Sequence, residues 1–267
     1  MTPLVPFADI LAGRTRSAGV VSFDVTDDWQ QGRTAYGGLV GAIAACAIRD
    51  VLGPERALRA LQINFVGTVP AGPVQVRVDV LRAGKSITQA QATVSAAGET
   101  ACVVSSVLGL ERGSTLPAFG LQQPLTRPPD ALRDTPYMPQ LMPAFVRHLT
   151  TRWAEGDPPY SGGTSTSSRI WLALRGDPVP RELLTILFAD AMPSPVMSAA
   201  RTRVFGASLA WSIEFLAPSQ AGDSEGWWRA DTELTGNAQG YSNQVSTIWT
   251  PQGEAAARSQ QVVAVYG

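Results

Sequence analysis

The chain contains few of the residues that metal centres and disulfide frameworks require. Its 267 residues include two cysteines, Cys46 and Cys102, and one histidine, His148. A structural zinc ion usually needs four cysteine or histidine ligands, so the sequence predicts no metal site and no cofactor. Both cysteines lie in apolar runs, which favours buried free thiols in a reducing compartment over a disulfide bond.

The chain also lacks an excess of charge and any long apolar run. Its net charge of -1 provides no basic stripe, so we expect no nucleic-acid partner. No run reaches the roughly 18 apolar residues that a membrane-spanning helix needs, and the N-terminal residues do not have the pattern of a signal peptide. With 45% hydrophobic and 16% charged residues, the composition is typical of a globular protein with one large domain or two modest ones. We therefore expect a cytoplasmic protein without membrane insertion.

Two pairs of stretches, roughly 150 residues apart, resemble each other. Ile63-Asn64-Phe65-Val66-Gly67 matches Ile213-Glu214-Phe215-Leu216-Ala217, and Gly98-Glu99-Thr100-Ala101 matches Gly253-Glu254-Ala255-Ala256. A repeat of this length is too long for a solenoid and indicates a duplicated domain. We expect domains at residues 1–112 and 164–267, joined by a crossover linker at residues 113–163.

Each half contains a helical segment with very little charge. From Gly38 to Val51, apolar residues recur at helical spacing and small residues fill the opposite face, so other structure should wrap this helix. The second segment runs from Glu182 to Met197. Strand-like runs follow each helix, at Val74–Leu81, Ser86–Ala96, Thr100–Leu110, Ala207–Leu216, Trp227–Leu234, Tyr241–Thr250 and Ala255–Val265.

This order of elements predicts the fold class. A buried helix followed by consecutive strands with short turns indicates an α+β fold, in which an antiparallel sheet curls around the helix. We expect the two sheets to pair edge to edge, because pairing removes the exposed edges that each sheet would otherwise present.

The region between the halves is less regular. Residues 112–163 hold many of the prolines, and we expect one short helix there, at Gln140–Trp153. The polar run Ser161–Ser168 is typical of a mobile loop. The alternative, a phosphate cradle, lacks the lysine of a P-loop.

Asp190 is the strongest candidate for a catalytic residue. It is the one charged residue between Glu182 and Arg201, and a carboxylate is costly to bury unless it is hydrogen-bonded or neutral. It is either a structural residue at a helix end or bend before Pro193, or a carboxylate aimed into a pocket. Counting along the repeat sets it against Val40, and sets Ser208 against Leu58 and Gln261 against Ser106. At these three positions the second half thus has a polar residue, whereas the first half has an apolar residue or, at Ser106, a smaller polar one.

This ordered set resembles the bacterial acyl-CoA thioesterase II family. The residues that carry the resemblance are Ala189-Asp190, Ala207-Ser208-Leu209 and Gly253 with Gln261, together with Tyr36-Gly37-Gly38 and Leu81-Arg82-Ala83-Gly84-Lys85-Ser86. The resemblance implies a double hotdog, which consists of two tandem domains, each a long helix wrapped by an antiparallel sheet. It also implies a catalytic set of Asp190, Ser208 and Gln261, where Ser208 replaces the family's threonine.

The implied reaction is thioester hydrolysis of an acyl-CoA substrate without a covalent intermediate. Asp190 would act as the base on a water molecule that Ser208 and Gln261 position, and an apolar surround would raise its pKa toward neutrality. Tyr36, Gly37 and Gly38 are the candidate substrate-binding residues. The two glycines can contribute backbone N–H groups to an oxyanion site or form a simple helix-entry turn.

The sequence is also compatible with other interpretations of the site and of the function. Glu214 is a possible substitute acid, although a solvated strand position explains it as well. His148 lies in the crossover, which argues against a Ser-His-Asp triad and against the hotdog dehydratases, whose histidine lies on the helix. The chain could bind an acyl thioester without hydrolysing it, or be a catalytically dead homologue. We expect a homo-oligomer, most simply a dimer.

Overall fold

The computed structural model describes residues 3–216 and 225–267. The described residues form three α-helices, α1 (Phe7–Ala12), α2 (Gly37–Leu52) and α3 (Arg181–Ala189). The strands are β1 (Thr15–Ser17), β2 (Val20–Val25), β3 (Gln30–Gln31), β4 (Thr34–Ala35), β5 (Ala57–Phe65), β6 (Gly72–Ala83), β7 (Ile87–Ala96), β8 (Glu99–Gly109), β9 (Leu149–Glu155), β10 (Ser167–Leu174), β11 (Phe205–Phe215), β12 (Trp228–Ala238), β13 (Tyr241–Trp249) and β14 (Ala255–Tyr266).

Twelve of these strands form one antiparallel sheet in the order β1-β2-β6-β7-β8-β5-β11-β14-β13-β12-β10-β9. The first six strands in this order belong to the first half, and the halves join where β5 pairs with β11. At this junction Ile63 lies opposite Trp211, and Leu61 lies opposite Ile213. The first pair of repeated stretches, which begin at Ile63 and Ile213, therefore starts on the two joining strands. The pairing of β5 with β11 confirms the predicted edge-to-edge pairing.

Helix α2 fills the concave side of the first half. Eleven of its sixteen residues are buried, and they contact β2, β6, β7, β8 and helix α3. The small residues along its second face allow this close approach from several sides. The architecture is the double hotdog that the family resemblance implied.

Helix α3 is shorter than predicted, because it ends at Ala189 rather than at Met197. Pro193 has no N–H to donate to the Ala189 carbonyl, and its ring would clash with that oxygen in a continued helix. The chain instead turns at Asp190 and forms a short 3-10 helix at Pro195–Ala199.

The two helices run antiparallel and contact each other at both ends. At one end the Tyr36 hydroxyl, next to the start of α2, donates to the Leu187 carbonyl near the end of α3. At the other end Arg49 Nε donates to Glu182 Oε1 at 2.8 Å. This arrangement brings the N-terminus of α2 beside Asp190.

The crossover differs from the prediction in two places. The expected helix at Gln140–Trp153 is a 3-10 helix at Ala144–His148, followed by strand β9, which forms an edge of the large sheet. The Ser161–Ser168 run is held by hydrogen bonds: Asp157 Oδ2 accepts from the backbone N–H groups of Thr164 and Ser165, each at 3.0 Å. These donors face the protein's own carboxylate, so they do not form an open phosphate cradle.

Among the helices of residues 3–216 and 225–267, none is both long enough and apolar enough to cross a membrane.

Candidate active site

Asp190 lies at the junction of the two helices. It is the residue that follows the last turn of α3, and its backbone N–H donates to the Phe188 carbonyl. An ideal Cβ atom built on Gly37 would lie 2.7 Å from Asp190 Oδ2, which is too close for any real contact. Glycine at position 37 therefore permits the carboxylate to approach the N-terminus of α2.

Three donors hold the Asp190 carboxylate. Gln261 Nε2 donates to Asp190 Oδ1 at 2.5 Å, and the Gly38 N–H and the Ser208 hydroxyl also donate to it. Burial raises the pKa of Asp190 from 3.8 to about 6, and these three hydrogen bonds offset part of the rise. The side chain is thus mainly ionised at neutral pH and remains far more basic than an exposed carboxylate.

Ser208 reaches this cluster because of a β-bulge. In the pairing of β11 with β14, Ser208 lies opposite Val263 and Ala210 lies opposite Val262, so Leu209 is the extra residue. A bulge shifts the alternation of side chains by one residue. Ser208 therefore shares the inner face with Trp211, whereas Glu214 points outward and is exposed. The regular alternation that would have placed Glu214 on the face of Ser208 does not hold.

A second buried amide, that of Gln244, holds the side chain of Gln261 in place. Gln261 lies on β14 opposite Trp211 of β11 and opposite Gln244 of β13. Gln244 Nε2 donates to Gln261 Oε1 at 2.7 Å. Sequence reasoning missed Gln244, because the counting that set Gln261 against Ser106 sets Gln244 against another glutamine, Gln89. The strand register instead sets it against Ala90, which lies opposite Ser106.

A cavity of about 390 Å³ lies beside Asp190. Its walls are mostly apolar, and Asp190 and Arg203 are the charged residues in its lining. The lining includes four of the chain's five methionines, Met138, Met142, Met192 and Met197. Methionine is flexible and polarisable, so such walls can adapt to apolar groups of different shape.

The crossover supplies one wall of the cavity, which sequence reasoning did not foresee. Phe145 of the 3-10 helix and Leu149 of β9 both line it. Phe145 stacks on Tyr36 with the ring centroids 3.9 Å apart. The cluster of prolines and methionines at residues 136–143 was the available signal, since a stretch rich in apolar residues without periodicity can cover a pocket.

The predicted substrate-binding residues form the N-terminal turn of α2. Tyr36 is fully buried, and its hydroxyl donates to the Leu187 carbonyl, so this side chain connects the helices. Burial raises the pKa of Tyr36 well above 10, and the nearby Asp190 carboxylate adds to the rise. The Gly38 N–H points at the Asp190 carboxylate.

The corresponding region of the first half contains a different set of contacts. Leu58, the counterpart of Ser208, donates its backbone N–H to Glu182, whose carboxylate is also paired with Arg49. Ser106, the counterpart of Gln261, donates its hydroxyl to the Ala90 carbonyl. Among the described residues, this region is thus filled by an internal ion pair and a backbone contact.

His148 lies apart from the cluster. Its ring stacks on Trp29 with the centroids 3.9 Å apart, and its Nε2 atom lies 2.8 Å from Asp28 Oδ2. Burial lowers the pKa of His148, which the Asp28 carboxylate partly counteracts. Among the described residues, no group of three or more histidine, cysteine, aspartate or glutamate side chains could hold a metal ion.

Comparison with known structures supports the fold across the whole chain. A conserved hot dog fold protein of unknown function from Alicyclobacillus acidocaldarius matches with a TM-score of 0.85 at 16% identity, covering 98% of each chain. The tesB protein of Mycobacterium avium subs paratuberculosis matches with a TM-score of 0.79 at 17% identity, covering 98% of this chain and 100% of its own. The acyl-CoA thioesterase II TesB2 of Mycobacterium marinum gives a TM-score of 0.75 at 17% identity, covering 98% of each chain.

The sequence itself also matches models of a protein family. Residues 25–109 match the acyl-CoA thioesterase N-terminal domain, and residues 126–265 match the acyl-CoA thioesterase C-terminal domain. No curated protein sequence matches the chain significantly. The chain belongs to the acyl-CoA thioesterase family and is a thioester hydrolase of double-hotdog fold.

Proposed function

We propose that the protein hydrolyses acyl-CoA at one site per chain, in which Asp190 is the general base. The observation that carries this proposal is the hydrogen-bonded Asp190 carboxylate at the edge of an apolar cavity. A carboxylate with a pKa of about 6 can accept a proton from water near neutral pH while staying largely ionised.

The steps of the reaction follow from this assignment. Asp190 takes a proton from a water molecule as the water oxygen attacks the thioester carbonyl carbon. Ser208 and Gln261 hold the carboxylate and the water, and the Gly37 backbone at the start of α2 is the candidate donor to the developing oxyanion. The carbon–sulfur bond then breaks, and the departing coenzyme A thiolate takes up the proton that Asp190 accepted, which restores the carboxylate.

The acyl group occupies the cavity in this proposal. The cavity volume of about 390 Å³ lies within the range of about 300–1,000 Å³ that is usual for small-molecule sites. Its apolar walls suit an acyl chain, and the presence of space beside Asp190 argues against a catalytically dead homologue. Tyr36 supports the wall indirectly, through its stacking on Phe145.

The direct test is a hydrolysis screen with the purified protein. Acyl-CoA substrates of increasing chain length are supplied, and a thiol-detecting reagent measures the coenzyme A that is released. We expect thiol release that saturates with substrate for at least one chain length. Saturable acyl-CoA binding without thiol release would instead indicate a non-catalytic acyl-thioester binding protein.

The assembly and the location are also proposals. We infer a homo-oligomer, most simply a dimer, because the crossover exposes large apolar side chains, with Phe119 92% and Leu125 96% exposed. Sedimentation as a monomer at micromolar concentration would contradict it. A cytoplasmic location is supported by the two buried free cysteines, Cys46 and Cys102, which suit a reducing compartment. A role in lipid metabolism is supported by the match to acyl-CoA thioesterase domains.

A further inference from the structure

Three side chains form a hydrogen-bonded row that ends at the proposed base. Gln244 Nε2 donates to Gln261 Oε1 at 2.7 Å, and Gln261 Nε2 donates to Asp190 Oδ1 at 2.5 Å. Gln244 is 4% exposed and Gln261 is 2% exposed, so neither amide has a ready exchange with solvent. Gln244 touches the carboxylate only through Gln261.

The carboxylate fixes the direction of each bond in the row. An ionised carboxylate only accepts hydrogen bonds, so Gln261 must direct its NH₂ group at Asp190. The Gln261 carbonyl oxygen then faces β13, where it needs a donor, and the NH₂ group of Gln244 supplies one. Without that donor the Gln261 carbonyl oxygen would be buried without a partner, which weakens the preference of the amide for this orientation.

The fold by itself does not require a glutamine at position 244. Its Oε1 atom is buried and has no hydrogen-bond partner among the described residues, and an unpaired buried acceptor destabilises a protein. In the first half, the residue that lies opposite Ser106 is the small apolar Ala90. The buried glutamine is therefore present in the half that contains the Asp190 cluster and absent from the equivalent position in the other half.

We propose that Gln244 is a positioning residue, which keeps the NH₂ group of Gln261 directed at Asp190 during thioester hydrolysis. This inference rests on the proposed role of Asp190 as the base. Gln244 acts through Gln261 and makes no contact with the substrate.

The test compares four variants of the full chain with the wild type. Gln244→Met keeps the length of the side chain and removes the donor, Gln261→Met removes the second link, and the double variant removes both. Ser246→Ala is the matched control, because Ser246 lies on the same strand and face and its hydroxyl bonds Thr232 rather than Gln261. For each protein, kcat and kcat/KM are measured from pH 4.5 to pH 9, together with the melting temperature.

We expect Gln244→Met to lower kcat by roughly three- to tenfold and to move the acid limb of kcat/KM upward by about half a pH unit or more. The direction follows because the hydrogen bond from Gln261 lowers the pKa of Asp190, so its loss raises that pKa. The Gln261→Met protein should shift in the same direction, the double variant should match Gln261→Met alone, and Ser246→Ala should keep the wild-type limb.

An unshifted acid limb of kcat/KM in a folded Gln244→Met protein overturns the inference. It is also overturned if the loss of kcat in the double variant equals the full sum of the losses in Gln244→Met and Gln261→Met. If Gln244→Met does not fold, Gln244→Glu replaces it, because an ionised carboxylate cannot donate to the Gln261 carbonyl. Its activity should then fall at alkaline pH, and an alkaline profile equal to that of the wild type overturns the inference.

Asp190→Asn, assayed alongside, separates this inference from the function on which it rests. If Asp190→Asn is inactive and Gln244→Met behaves as the wild type, the role of Gln244 alone is wrong. If Asp190→Asn hydrolyses at the wild-type rate, the assignment of the base is wrong, and the role of Gln244 is wrong with it.

Discussion

Asp190 combines two properties that a single carboxylate rarely has together. Its surroundings raise its pKa to about 6, yet three donors, from Gln261, Gly38 and Ser208, hold it in a fixed orientation. Burial alone would raise the pKa further and keep the group protonated, while strong hydrogen bonding alone would make it a poor base. The balance between burial and hydrogen bonding leaves an ionised and oriented carboxylate at neutral pH.

This balance predicts the pH dependence of the wild-type enzyme. In the proposed mechanism Asp190 must be ionised to act as the base, so kcat/KM should rise through a pKa of about 6 and level off above it. Below that pKa the rate should fall about tenfold for each pH unit, because only the ionised fraction is active. A rate that stays level from pH 4.5 to pH 8, in a protein that remains folded, would contradict this prediction.

Substitutions of Ser208 test whether the hydrogen-bonded cluster around Asp190 needs a hydroxyl group. Ser208→Ala removes a hydrogen bond to a charged group and should lower kcat by about tenfold. Ser208→Thr keeps the hydroxyl and restricts its rotamers, so its kcat should stay within about threefold of the wild type. Ser212→Ala, on the outer face of the same strand, is the matched control, and equal losses in Ser212→Ala and Ser208→Ala would argue against a specific role for Ser208.

At the scale of elements, two irregular features create the site. The bulge at Leu209 turns Ser208 inward, and the early end of α3 before Pro193 leaves Asp190 facing the first turn of α2. Neither feature changes the fold. Each one redirects a side chain that regular structure would have pointed elsewhere.

The same two features mark the limit of what the sequence predicted at this scale. The long periodic helix of the first half, α2, and the alternating strands were predictable because their patterns are local. The bulge was not, since Ser208 and Leu209 contain no turn residue, and only the register against β14 reveals it. Residues 140–153 lack a clear period, and the edge of the sheet and the cavity decide their conformation.

The crossover also predicts how acyl groups of different length should be distinguished. Met142 lines the cavity, so Met142→Trp should narrow it and lower kcat/KM for long acyl chains by at least about tenfold, with a smaller effect on acetyl-CoA. Ala131→Trp, at an exposed site of the same crossover that does not line the cavity, is the control and should leave both rates unchanged. Equal losses for long and short substrates in Met142→Trp would show that the acyl chain lies elsewhere.

At the scale of the whole molecule, the two halves have diverged around one shared junction. The repeat was visible in the sequence, and the order of strands and the pairing of β5 with β11 agree with it. The offset between the halves is not constant, however. Helix α2 follows Tyr36 and α3 follows Pro180, so aligning the helix starts sets Asp190 against Cys46 rather than Val40. Sequence counting could not find this difference, because it depends on the length of the connection between helix and strand.

The Arg49–Glu182 pair is expected to stabilise the contact between the halves. Both side chains are largely buried, with exposures of 15% and 9%, and Glu182 also accepts the Leu58 N–H. Glu182→Gln leaves Arg49 without a charged partner and should lower the free energy of unfolding by roughly 2–4 kcal/mol, as measured by urea denaturation. The double variant Arg49→Met with Glu182→Met should lose less, and a Glu182→Gln protein within about 0.5 kcal/mol of the wild type would contradict the expected contribution.

Asp190→Asn tests most directly the central claim, that the C-terminal half carries the catalytic base. The substitution keeps the shape of the side chain and removes its ability to take a proton. Folding is checked by the melting temperature, acyl-CoA binding is measured by calorimetry, and hydrolysis is measured by thiol release at pH 8. We predict a folded protein that binds acyl-CoA and hydrolyses it about 10²-fold more slowly or worse, because general base catalysis contributes about 10²–10⁴. A folded Asp190→Asn protein that binds acyl-CoA and hydrolyses it at the wild-type rate would contradict the assignment.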